Sequence, residues 1–267
     1  MKMRQLYWGI VLTLFGFIAL ASTMGWLRGI SVWALIGPYF FIVLGLWFLL
    51  RPVLFKNEKL EAETYSVALE EAKEATIKLE HGAGRLTLHA GAEPGKLLTG
   101  TFAGGVDPKL SREGNKITLA LKSHLDVVAV LPPVPGESGF EWDMALTNTI
   151  PLNIELESGA SESKLDLTDL QVKDLSIETG ASSTSVKLPA RAGFTKVKVE
   201  SGAASVDLRI PEGVAARIKV DSAIASNTID TARFPIKGKG YQSPDYETAK
   251  NKIDINVETG VGSITIK

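Results

Sequence analysis

Cysteine is absent from this chain, and histidine occurs only as His81, His89 and His124. The first absence excludes disulfides, thiolate metal sites and cysteine nucleophiles. The second leaves little from which to build a metal centre or a general base. His81 and His89 share one hairpin-like stretch, no histidine sits with acids at metal-ligand spacing, and surface or turn roles are expected for all three. Aromatics are also scarce where a sugar-processing cleft would need them, since the late chain offers only Phe194, Phe234, Tyr241 and Tyr246. Ser182, Ser183 and Thr184 have no histidine in their region to activate them. Gly82-Ala83-Gly84 lacks the helix and lysine of a phosphate loop. The expectation is a protein that is not an enzyme and has no catalytic, cofactor-binding or metal-ligating residues.

Acidic residues are missing from the first 50 positions, whose only charges are Lys2, Arg4 and Arg28 and which hold four of the five Trp. From Asn57 onward 24 Lys and Arg face 30 Asp and Glu, a solvated balance that excludes a nucleic-acid footprint. Residues 6–24 and 30–50 are uncharged runs of 19 and 21, each close to the ~20 residues needed to cross a bilayer core as a helix. With Gly25 to Gly29 as the turn, residues 1–56 read as an antiparallel transmembrane helical hairpin. Pro38 bends its second helix, and Tyr7, Trp8, Trp26, Trp33 and Trp47 sit near the span ends. Lys2, Arg4, Arg51, Lys56 and Lys59 flank the pair while the turn has only Arg28, which places both ends in the cytoplasm. A cleaved secretory signal ending near Ala19 and Ala21 is the competing reading, and the length of the apolar run argues against it. Neither span holds an ionisable residue, which disfavours a transporter or proton relay.

Residues 57–75 read as a polar connector, with 76–267 forming one β domain. Ile77 to Glu80, Arg85 to His89, Lys96 to Phe102 and Lys116 to Lys122 have strand character and look like irregular opening rungs. Asp126 to Trp142, with Pro132, Pro133 and Pro135, is expected to leave the sheet as a loop.

One phrase then recurs: an alternating strand, an acid, a small polar residue and a glycine. Its six instances are Ile77–Gly82, Ile154–Gly159, Leu175–Gly180, Val197–Gly202, Ile218–Ala223 and Ile255–Gly260. The acid column is Glu80, Glu157, Glu178, Glu200, Asp221 and Glu258, and the side chains three and five places before the glycine are always aliphatic. From Gly159 to Ala223 the intervals are 21, 22 and 21 residues. Units this short cannot bury an apolar face alone and must stack, which predicts a single-stranded β-solenoid with repeats of ~21 residues. A β-sandwich is the alternative. The glycines imply φ > 0 or close backbone approach. The acids are expected to face solvent among Lys198 and Lys219, with a shared cation as the alternative. The coil ending at Lys267 is expected to be the open, uncapped end of the stack.

The apolar hairpin ending Ile42-Val43-Leu44-Gly45-Leu46-Trp47 resembles LiaI/LiaF-type transmembrane regions. Ile154–Ser161, Val197–Ser205, Ile210-Pro211-Glu212-Gly213-Val214 and Val257–Ile266 resemble the toast-rack, adhesin-type β-repeat domains often joined to them (DUF4097-like). The resemblance implies a multi-pass bacterial cell-membrane protein linked to envelope stress, in some members restraining a sensor kinase, with no catalytic residues. Ala223 for glycine, and two helices where some relatives have more, depart from it. The expected function is a non-catalytic scaffold or regulator working by protein contacts. Its partners would be the lipid bilayer, a membrane protein such as a sensor kinase and a second copy of itself. The alternative is an extracytoplasmic adhesin or envelope-polymer-binding module.

Overall fold

Alternation of apolar and polar side chains from Ala75 onward yields long strands. A computed structural model describes residues 62–123 and 140–267, and no described residue is helical. The transmembrane hairpin expected over residues 1–56, and His124, lie outside the described residues. Among the described residues thirteen strands form one sheet: β1 (Ala62–Ala68), β2 (Glu74–Ala90), β3 (Lys96–Ala103), β4 (Val106–Glu113), β5 (Lys116–Ser123), β6 (Glu141–Leu146), β7 (Pro151–Asp166), β8 (Gln171–Lys187), β9 (Phe194–Arg209), β10 (Ala215–Ile229), β11 (Ile236–Lys237), β12 (Gly240–Gln242) and β13 (Lys252–Ile266). A single sheet departs from the two-sheet sandwich alternative.

Each phrase is one strand of 15–17 residues that bends at the glycine. In β9 the buried set is Thr195, Val197 and Val199 before Gly202, then Ala204, Val206 and Leu208 after it. The parity switches because Gly202 and Ala203 both face out, so the strand folds its two arms around one core as a bulge would. Strands β2, β7, β8, β9, β13 and β10 lie parallel in that order, and the acids stay in register from Glu80 through Glu157, Glu178, Glu200 and Glu258 to Asp221. Leu79, Leu156, Ile177, Val199 and Val257 form one buried aliphatic row beneath them, while Val220 on the last rung is only half-buried.

Chain order follows the stack to β9 and then breaks. The last strand, β13, inserts between β9 and β10, so the rung ending near Lys267 is interior and β10 is the terminal one. This corrects the expectation of an open C-terminal coil. The intercalation is fixed at both ends of β13: Lys252 N donates to Gly193 O at 2.8 Å, and Ile210 N donates to Lys267 O at 2.8 Å. The chain between β9 and β10 turns at Gly213, whose φ is +75°. Arg233 clamps that turn by donating to Ile210 O at 2.7 Å and Pro211 O at 2.5 Å.

Two further expectations change. Ala62–Ala68, inside the stretch read as a connector, is β1, paired antiparallel with β3. Glu141–Leu146, whose first residues were read as loop, is β6 and carries the fully buried Trp142 between β3 and β2. The opening rungs cap the stack: the first arm of β2 pairs with β5 and its second arm with β6.

At the other end the excursion through β11 and β12 is held by Tyr246. This residue is 3% exposed and donates its hydroxyl to Asp254, while Arg217 lies 4.2 Å from its ring centroid. Burial, and then the Asp254 carboxylate, hold the phenol protonated above its usual range. Tyr246→Phe is expected to cost about 2 kcal/mol in denaturant unfolding, the value of a buried hydrogen bond to a charged acceptor.

Candidate functional site: an acidic groove across six rungs

At the bends the six acids line a groove of about 1100 Å³ that crosses every rung. The glycines explain its floor. A Cβ on Gly159 would stand 2.5 Å from Gly82 O, one on Gly180 3.0 Å from Gly159 O, and one on Gly260 2.7 Å from Gly202 O. Each rung therefore presses its bend onto the carbonyl of the rung before it. Of the two readings drawn from sequence, close backbone approach is the one that applies here, because none of these three glycines has positive φ. Ala223 belongs to the terminal rung, which has a free side and can give way.

Three acids are matched by lysines: Lys122–Glu80 at 2.6 Å, Lys198–Glu200 at 2.5 Å and Lys219–Asp221 at 2.6 Å. Hydrogen bonding and charge from each partner carboxylate raise all three lysine pKa values above the ordinary range. Asn256 donates to Glu258 at 3.0 Å. Glu157 and Glu178 have no ion pair among the described residues, and no described group of three or more His, Asp and Glu side chains could hold a metal ion. The lysine-interleaved column read from the sequence is present, along an open groove.

Behind the acids runs a second column, in register: His81, Ser158, Thr179, Ser201, Thr259 and Ser222. Ser201 donates its hydroxyl to Thr259 at 2.8 Å. His81 is the exception in chemistry, and its surface or turn assignment is corrected. It lies on a continuous strand, is 1% exposed, has no hydrogen-bond partner on either ring nitrogen among the described residues, and packs 4.9 Å from the Trp142 ring. The signal was available, because the same place in the other five phrases holds a small hydroxyl residue, buried or half-buried in every rung but the terminal one, where Ser222 is exposed. His89 is partly exposed, 3.4 Å from Asp143.

Burial lowers the His81 pKa to about 4. The unfolded chain takes up this proton near 6.5, the folded chain only near 4, so stability is full above pH 6.5 and falls as pH drops from 6.5 to about 4. A shift of that size corresponds to about 3 kcal/mol. Unfolding at pH 7 and pH 4.5 is expected to show this loss in the parent chain, and His81→Leu should remove most of the difference. Equal slopes in both proteins would contradict the assignment.

A family model described as the N-terminal domain of toast-rack, DUF2154, matches residues 56–209, ending where β9 ends. The chain is similar to the solved structure of a candidate cell adhesion protein from Clostridium sporogenes ATCC 15579, 24% identical with a TM-score of 0.69, over 78% of this chain and 98% of that one. A candidate adhesin from Bacteroides fragilis NCTC 9343 aligns at 10% identity and a TM-score of 0.27, over 78% and 97%. No protein of curated function matches. A family match over more than half its residues, carried by the bent parallel strands just described, means that the chain belongs to the toast-rack family.

Proposed function

We propose that this toast-rack protein is a non-catalytic, membrane-anchored scaffold or regulator of envelope-stress signalling that works by protein contacts. The supporting observation is how the repeated phrase is used. Its glycines accommodate neighbouring carbonyls, its aliphatics fill the core, and three of its six acids are neutralised by adjacent lysines. What repeats is therefore a way of building a stiff surface. On this reading the uncharged runs 6–24 and 30–50 hold that surface against the cytoplasmic face of the membrane, and a membrane protein such as a sensor kinase is the partner.

The second reading, an extracytoplasmic adhesion or envelope-polymer-binding module, is favoured by the description of the Clostridium sporogenes structure as a candidate cell adhesion protein. Topology separates the two. A reporter fused after Lys267 that is active only in the cytoplasm is the expected result. Activity only outside would sink the regulator and leave the adhesion module.

A further inference from the structure

The terminal rung, β10, has an outer edge that is covered unequally. Strand β12 pairs with it only at Arg217↔Gln242 and Ile218↔Tyr241. From Lys219 to Ile229, eleven residues, no described strand takes up the ladder groups on that side. Exposed edges are ordinarily protected by charge or proline. The β4 edge has Pro108 with Asp107, Lys109, Arg112 and Glu113, whereas Ser222–Ile229 contains neither a proline nor a charged residue. At its centre Ile224 is 74% exposed, beside its register partner Val261 at 51%.

This edge is also self-complementary. Ser222-Ala223-Ile224-Ala225-Ser226 reads the same in both directions, and Asp221 and Asn227 flank it. A twofold axis at Ile224 pairs Ala223 with Ala225, Ser222 with Ser226 and Asp221 with Asn227 of a second copy. It opposes no like charges. The same axis pairs Lys219 with Ile229, so the uncovered span begins where β12 stops, ends where β10 stops, and is centred on Ile224. The bend at Ala223 lies one residue from the axis, which lets each arm lie along the opposite arm of the other copy. An isologous interface requires such a patch, one that matches itself under rotation.

We infer that two copies of this chain pair antiparallel through the β10 edges, joining their sheets across Ile224. Main-chain hydrogen bonds supply the affinity, as in strand addition to an open sheet edge, and the apolar Ile224 pair fixes the register.

The absence of cysteine makes the test clean. In the full chain in mild detergent, Ile224→Cys places one thiol per copy opposite its mate, and mild oxidation is expected to give a disulfide-linked dimer. Ser183→Cys, on the exposed face of β8, should form no cross-link. Ser222→Cys and Ser226→Cys should cross-link poorly alone and well when mixed, because the antiparallel register opposes one to the other. Ile224→Lys sets two cations face to face and should raise the dimer Kd about tenfold or more by mass measurement. Ile224 is exposed, so these variants keep the fold. Four results would overturn the inference: a parent chain that stays monomeric across micromolar concentrations, equal cross-linking at Ser183, a dimer insensitive to Ile224→Lys, or an Ile224→Cys thiol protected by another segment of the same chain.

Discussion

Trp142→Ala is expected to lower the unfolding free energy by about 3–5 kcal/mol, the usual cost of removing a large buried aromatic. Domains of this size are stable by only about 5–15 kcal/mol, so the variant should lose a large share of its stability. The side chain is fully buried, meets Phe102 edge-on at 5.2 Å and lies tilted against His81, ring centroids 4.9 Å apart. It stands where β6 closes the second arm of β2, so the cavity opens at the capped end of the stack. Denaturant unfolding measures the loss. A second readout follows from the contact with His81: water admitted by the cavity should return the imidazole toward its ordinary pKa, so the acid-sensitive window between pH 6.5 and about 4 should shrink in the same variant. A loss below about 1 kcal/mol with an unchanged acid window would mean that the Trp142 site is not closed in this way.

The six-fold phrase was legible because stacking gives every rung the same surroundings. A residue type that suits one bend suits them all, and so Glu80 through Asp221 fall into one column in sequence and in space. The order of the last two rungs was not legible for the same reason, since equivalent rungs carry no record of their neighbours. The departures from the phrase did carry that record. The terminal strand β10 has Ala223 for glycine, Asp221 for glutamate and Asn227 where Val206 and Ile264 fill the core, whereas the interior strand β13 keeps Gly260, Glu258 and Ile264. Read as edge signals, these would have placed β13 inside. The capping strands were missed on different grounds. In β1, Glu63 and the exposed Ala62–Thr64 hide an alternation that buries only Val67, and the prolines ahead of β6 drew the loop assignment too far, across Trp142.

The central claim is that the repeated phrase is a device for stacking, in which glycine is indispensable and the acid is not. One rung contains both tests. Gly159→Ala puts a Cβ 2.5 Å from Gly82 O, a backbone atom that cannot swing aside, so β7 must withdraw from β2 along their shared register. Overpacking of this kind costs about 1–3 kcal/mol, and Gly159→Val should cost more. Two residues earlier, Glu157 has no ion pair among the described residues, and Glu157→Gln should change stability by no more than about 0.5 kcal/mol, with or without added calcium. Unfolding free energies of the parent, Gly159→Ala and Glu157→Gln, with and without calcium, decide the matter. The account predicts a large loss for the glycine variant and none for the acid variant. A tolerated Gly159→Ala beside a calcium-dependent stabilisation abolished by Glu157→Gln would contradict it.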